Sequence, residues 1–210
     1  EASKRVMDIC SMTNVIPVLT VTNLEDAIPL ANAITGGGLP VLEITLRTEN
    51  ALHVIKEINR STEALVGAGT LITKKDVKNA VAAGAKFGVS PGVTEDLAQA
   101  CEDEGLPLIG GVSSASEAMK MLERGYELMK FFPAESSGGV KALKAIGGPL
   151  PQVSFCPTGG ISVETATGYL AQDNVVCIGG SWMANSSLIR AKDWEMIHDL
   201  ASEASRIGTR

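Results

Sequence analysis

Along this chain a short apolar run is followed by a polar or glycine-bearing turn and then by apolar residues at helical spacing, and the unit recurs eight times. The apolar runs cover residues 15–21, 41–47, 64–70, 87–91, 106–112, 128–132, 153–158 and 175–181. Helical patterns follow at 25–35, 49–59, 74–83, 95–104, 115–124, 140–146, 163–171 and 194–206. Strict alternation of this kind implies a parallel sheet, because parallel neighbours need a long crossover that is usually a helix. Eight units in 210 residues leave about 26 residues each, close to the least that a strand, two short loops and a helix can use. The expected architecture is one α/β domain over 1–210, a (β/α)8 TIM barrel, with an open doubly wound sheet as the alternative. A further helical pattern at 4–12 is expected to cover the N-terminal end of the barrel. Asn23, Thr48, Thr73 and Thr94 precede helical patterns as caps, and glycines at 36–38, 84, 105, 125 and 147–148 end them.

Charge and composition remove several classes of function. A net charge of −6 without a local basic cluster repels a phosphodiester backbone, and 4% aromatic residues offer few stacking platforms, so no nucleic-acid partner is expected. No apolar stretch approaches the roughly 20 residues that span a bilayer, and the opening segment lacks the apolar core of an export signal. A soluble, cytoplasmic protein without membrane partners is expected. Cys10, Cys101, Cys156 and Cys177 are scattered and form no C-x-x-C pair, which reads as reduced, buried thiols. With only His53 and His198 besides, neither a metal centre nor a cofactor is expected.

In a barrel of this type the chemistry sits at the C-terminal strand ends. Period-two alternation in the second run puts Glu43, Thr45 and Arg47 on one face and Leu42, Ile44 and Leu46 on the other. The leucines suit a helix-covered face, which leaves a carboxylate and a guanidinium directed into the barrel, either as working groups or as a structural ion pair. The sixth run places Lys130 in an apolar strand with Phe132 on its face. Burial favours the neutral form of an amine, and a neutral amine attacks ketones, so Lys130 is either an imine-forming residue or a neutralised packing lysine. Lys86, at the start of the fourth run, falls at the opposite end of the barrel and is expected on the surface. The seventh and eighth runs end in Gly159-Gly160 and Gly179-Gly180-Ser181. Two glycine turns at adjacent strand ends can present backbone N–H groups to a phosphate, in the position where barrels commonly bind one.

Six strings together say more than this. Leu42-Glu43-Ile44-Thr45-Leu46-Arg47-Thr48, Gly67-Ala68-Gly69-Thr70, Ser90-Pro91-Gly92, Lys130-Phe131-Phe132-Pro133-Ala134-Glu135, Phe155-Cys156-Pro157-Thr158-Gly159-Gly160-Ile161 and Gly179-Gly180-Ser181-Trp182 occur in this order. They closely resemble the 2-keto-3-deoxy-6-phosphogluconate (KDPG) aldolase family, which includes bifunctional 4-hydroxy-2-oxoglutarate (KHG) aldolases. The resemblance covers nearly the whole chain, and the lysine-bearing string is its most specific part. It implies a class I aldolase in which Lys130 forms the imine and Glu43 transfers protons. It further implies that Arg47 and Thr70 hold the pyruvate carboxylate, that Pro91, Phe132 and Thr158 shape that pocket, and that Gly159, Gly160, Gly180 and Ser181 bind the distal phosphate. A homotrimer is implied by the resemblance alone. The substrate would be a phosphorylated 2-keto-3-deoxy sugar acid, in the gluconate or the galactonate series. Rival readings are a phosphate-binding barrel isomerase or synthase, which has no use for an interior lysine, and a non-enzymatic ligand-binding barrel with a structural Lys130–Glu43 pair.

Overall fold

The computed structural model describes residues 2–208, and its strands are β1 (Val15–Leu19), β2 (Val41–Thr45), β3 (Leu65–Gly69), β4 (Gly88–Val89), β5 (Leu108–Ile109), β6 (Gly111–Val112), β7 (Leu128–Phe131), β8 (Ser154–Pro157) and β9 (Ile178–Gly180). The helices are α1 (Ala2–Cys10), α2 (Ala27–Gly36), α3 (Ala51–Ser61), α4 (Lys74–Ala82), α5 (Glu95–Asp103), α6 (Ala115–Glu123), α7 (Gly139–Gly147), α8 (Val163–Leu170), α9 (Ser186–Ala191) and α10 (Trp194–Ser205). All paired strands are parallel and form a curled α/β arrangement, six in the order β5-β4-β3-β2-β1-β9 and three in the order β6-β7-β8. The pieces β5 and β6 are one run interrupted at Gly110, whose carbonyl accepts from the Lys130 N–H at 2.9 Å. Single parallel bridges, Phe155 to Val175 and Thr158 to Gly179, join β8 to the chain that forms β9.

The pleat sorts the side chains into two apolar clusters. Leu42, Ile44, Met129, Phe131, Phe155 and Ile178 point outward into the cluster shared with the helices. Their neighbours Val41, Leu128, Cys156 and Cys177 point inward and meet Ile16, Phe87, Val89 and Ile109, with Val6, Ile9 and Cys10 of α1 packed against them. This inner layer forms the floor beneath the polar residues one pleat further along β2 and β7. The fully buried Phe87 ring lies on bare backbone, since a Cβ at Gly67 would come within 2.4 Å of it. Phe87→Ala is therefore expected to cost about 3–5 kcal/mol, lowering the thermal midpoint by on the order of 10 °C, readable by calorimetry.

Local chemistry explains most boundaries. Thr73 and Asp76 form a reciprocal capping box at α4, Ser114 and Glu117 form another at α6, and the Thr94 hydroxyl accepts from the Leu97 N–H at α5. Gly84, Gly105 and Gly125 follow three helices at positive φ, which a side chain resists. Two expected caps do not form. Thr48 donates instead to the Val21 carbonyl at 2.7 Å, so α3 begins after Asn50, and Asn23 precedes a 3₁₀ turn, Leu24–Asp26, that delays α2. The helix α9 and the 3₁₀ turn Trp182–Ala184 are additions to the expected elements, too short to show a helical period. Three of the four cysteines are scattered only along the chain. Cys10, Cys156 and Cys177 converge in the inner layer, where hydrogen bonds to Cys10 and Cys156 together with burial push the Cys177 thiol up and keep it unreactive. His53, His198 and Lys86 lie on the exposed surface.

Candidate active site

A cavity of about 510 Å³ opens at the C-terminal ends of the strands. Its walls include every residue singled out in the sequence: Glu43, Arg47, Thr70, Pro91, Lys130, Phe132, Thr158, Gly159, Gly160, Gly180 and Ser181. These come from six separate strand ends, which the curl of the sheet brings to one place.

Two titratable groups sit at the base of this cavity, just above the apolar floor. Lys130 on β7 is 6% exposed and Glu43 on β2 is 4% exposed, and Lys130 Nζ lies 4.0 Å from Glu43 Oε1. Burial pushes the Glu43 carboxyl above the ordinary carboxylate range, against the smaller downward pulls of Lys130 and then Arg47. The carboxylate is pressed onto bare backbone, because a Cβ at Gly69 would stand 2.1 Å from its Oε1. Any side chain at Gly69 would displace it. On the other side of the amine, Nζ lies 4.7 Å from the centre of the Phe132 ring, a cation–π distance.

One expected placement is corrected. Arg47 is not among the buried inward residues beside Glu43, for β2 ends at Thr45 and Leu46 already donates to the Gly69 carbonyl as the chain turns. Arg47 is an exposed residue of that turn, on the cavity rim, and forms no ion pair among the described residues, so a structural Glu43–Arg47 bridge does not exist. The buried partner of Glu43 is Lys130. Thr70, the first residue beyond β3, has a φ of 62°. That region is costly for a β-branched side chain, by about 1–3 kcal/mol, and such strain is concentrated at functional sites.

The glycine turns are shaped for close approach. Gly159 and Gly160 both have positive φ, at 105° and 77°, and a Cβ at Gly179 would stand 2.4 Å from Thr158 Oγ1. A Cβ at Gly180 would strike the Trp182 ring. Glu135, from the lysine-bearing string, is exposed and accepts a hydrogen bond from the Tyr169 hydroxyl.

The walls also include Thr20, Thr45, Asn185 and Ser186, which the sequence did not single out for the site. Alternation did place Thr45 on the face of Glu43, and that was the available signal. Thr20 lies just beyond β1, and Asn185 and Ser186 cap and open α9, so what they face is fixed only by long-range packing. No cluster of three or more potential metal-ligating side chains occurs among the described residues, and none of their helices is long and apolar enough to cross a membrane.

Comparison with known proteins agrees with the geometry. The family model described as "Aldolase: KDPG and KHG aldolase" matches residues 6–200. A 2-dehydro-3-deoxy-phosphogluconate aldolase of Pseudoalteromonas atlantica is 50% identical over 94% of this chain and 92% of its own length. A KHG/KDPG aldolase of Escherichia coli is 49% identical over 90% of each chain. Among solved structures, the KDPG aldolase of Legionella pneumophila, with pyruvate captured as a covalent carbinolamine, is 46% identical and superposes with a TM-score of 0.92 over 95% of this chain and 97% of its own. With a buried lysine and glutamate below paired glycine turns, and relatives of this similarity over nearly their full lengths, the chain belongs to the KDPG and KHG aldolase family.

Proposed function

We propose that this protein is a class I, imine-forming aldolase that cleaves 2-dehydro-3-deoxy-6-phosphogluconate to pyruvate and glyceraldehyde 3-phosphate, and 4-hydroxy-2-oxoglutarate to pyruvate and glyoxylate. The observation that carries this reading is the buried Lys130–Glu43 pair at the base of a cavity whose rim holds both glycine turns. The covalent carbinolamine of the Legionella relative and the KHG/KDPG name of the Escherichia relative support the chemistry and the second substrate.

In this mechanism the Lys130 amine attacks the C2 ketone and water leaves, giving a protonated imine. Breaking C3–C4 sends an electron pair toward that imine and forms the enamine of pyruvate. Glu43 takes the C4 hydroxyl proton as the aldehyde departs, and later delivers a proton to C3. Hydrolysis of the imine then frees pyruvate and the amine. Burial favours the protonated carboxyl that delivers to C3, while Lys130 and Arg47 favour the carboxylate that accepts from the C4 hydroxyl. Arg47 and Thr70 hold the pyruvate carboxylate, with Pro91, Phe132 and Thr158 around the three-carbon unit. Gly159, Gly160, Gly180 and Ser181 take the phosphate. No metal or cofactor is assigned a role, and cleavage is expected to persist in EDTA; a loss that zinc or magnesium restores would point to metal-assisted chemistry.

The direct test is reduction with borohydride in the presence of pyruvate, followed by peptide mass mapping. A pyruvate-derived mass on Lys130 is expected, and a label on another lysine sinks the assignment. Ser181→Asp tests the phosphate end. A like charge beside the phosphate costs several kcal/mol, so the efficiency ratio of the phosphorylated sugar acid to 4-hydroxy-2-oxoglutarate should fall by roughly 10²-fold. Equal losses on both substrates would deny the glycine turns that role.

The sheets are further read as one single-domain (β/α)8 barrel over 1–210, with α1 as an extra helix across its N-terminal end. Support comes from the continuity of β5 and β6 around Gly110 and the bridges between β8 and the β9 chain. A cytoplasmic homotrimer completes the proposal, on family resemblance, and light scattering of the purified protein tests the assembly.

A further inference from the structure

Two threonines at the open ends of β1 and β2 fix the order of their protons. Thr45 is buried, with its hydroxyl 3.1 Å from the Leu19 carbonyl oxygen and 2.9 Å from Thr20 Oγ1. A carbonyl can only accept, so bonding to it uses the single proton of Thr45. Both contacts are hydrogen bonds in one order only: Thr20 donates to Thr45, and Thr45 donates to Leu19. The Thr20 oxygen is then left with lone pairs and no proton to offer. Thr20 is exposed and lines the cavity.

Its position in the ring of strands gives this polarity a use. Strand β1 lies between β9, which ends at Gly180, and β2, which leads to Arg47. A sugar acid with its carboxylate toward Arg47 and Thr70 and its phosphate at the glycine turns has its middle carbons beside this strand. The C4 hydroxyl is engaged by Glu43 in the reaction, which leaves the C5 hydroxyl. We propose that Thr20, its proton committed through Thr45, accepts a hydrogen bond from the C5 hydroxyl of the substrate and so selects an aldehyde bearing a hydroxyl next to its carbonyl. Thr45 is the positioning residue. The inference rests on the aldolase reading above.

The synthetic direction isolates this contact. Pyruvate is condensed with glyceraldehyde 3-phosphate or with 3-oxopropyl phosphate, which lacks only that hydroxyl, and the ratio of the two kcat/KM values is taken within each protein. Differences in folded fraction cancel in such a ratio. Thr20→Val is expected to lower the preference for the hydroxylated aldehyde by about 3- to 10-fold, the contribution of one neutral hydrogen bond. Thr20→Ser should keep it. Thr45→Val should lower it by a smaller factor, because the freed Thr20 hydroxyl can still accept but is no longer held in one orientation, and Thr45→Ser should keep it, which a purely structural role for Thr45 would not produce. An unchanged ratio in Thr20→Val overturns the proposal while leaving the aldolase reading intact. A wild-type protein that condenses neither aldehyde with pyruvate overturns both.

Discussion

Lys130→Met is expected to abolish pyruvate trapping by borohydride and to lower cleavage by a factor on the order of 10⁶, the scale seen when a covalent nucleophile is removed. Methionine approximates the length and flexibility of the lysine stem and fills the space between Glu43 and the Phe132 ring, so packing is largely kept. The remaining carboxyl does not have to stay charged. Burial already pushes Glu43 above its ordinary range, and removing Lys130 takes away the larger of the two downward pulls, which moves the group further toward its neutral form. The variant should consequently fold, as judged by circular dichroism and a thermal scan, with its chemistry gone. Steady-state cleavage and intact-protein mass after reduction are the measurements. Trapping that survives at another lysine, or cleavage within 100-fold of wild type, would remove Lys130 from the covalent role.

Glu43→Gln should reduce turnover by about 10²–10⁴-fold, the usual worth of one positioned proton-transfer group, with a much smaller change in pyruvate affinity, since Arg47 and Thr70 carry that. Exchange of the pyruvate methyl protons with solvent, followed by NMR, should fall in parallel, because it needs the same group at C3. Near-normal exchange in a folded variant would assign C3 to another residue. The pH profile adds an independent check. The ionised carboxylate acts as base at the C4 hydroxyl, so efficiency should drop as pH falls through the Glu43 pKa, which lies above 4.5. That acid limb should disappear in the glutamine variant. The same shift has a sign for stability: a carboxyl that binds its proton more tightly when folded contributes stability at low pH that is lost as pH rises through its raised pKa. Wild-type Glu43 thus opposes folding at neutral pH, as expected for a buried group retained for chemistry.

Much of this molecule is legible in its sequence. Period-two alternation placed Glu43 and Thr45 on one face of β2 and Lys130 on the inner face of β7, because the pleat leaves a strand no other choice once Leu42, Ile44, Met129 and Phe131 seek the helices. Capping chemistry set the starts of α4 and α5, and glycines with positive φ set the ends of α4, α5 and α6, since these depend on residues within one turn of each other. Strand ends were less legible. The apolar run at 41–47 continues past the point where β2 stops, and nothing in its composition shows that Leu46 turns to meet Gly69; Arg47 was accordingly placed inside and is found at the rim.

Local sequence therefore determined the alternating parallel architecture, the inward face of each working strand and the chemical types available at the strand ends, because all of these follow from short-range sterics and side-chain periodicity. Only the tertiary structure decided which distant groups meet. It set Lys130 4.0 Å from a glutamate 87 positions earlier in the chain, joined Thr20 to Thr45 through their hydroxyls, and gathered Cys10, Cys156 and Cys177 in the inner layer. The reason is physical: separations of that kind depend on the curl of the sheet and the register of every strand between the partners, and no residue's own neighbours along the chain carry that information.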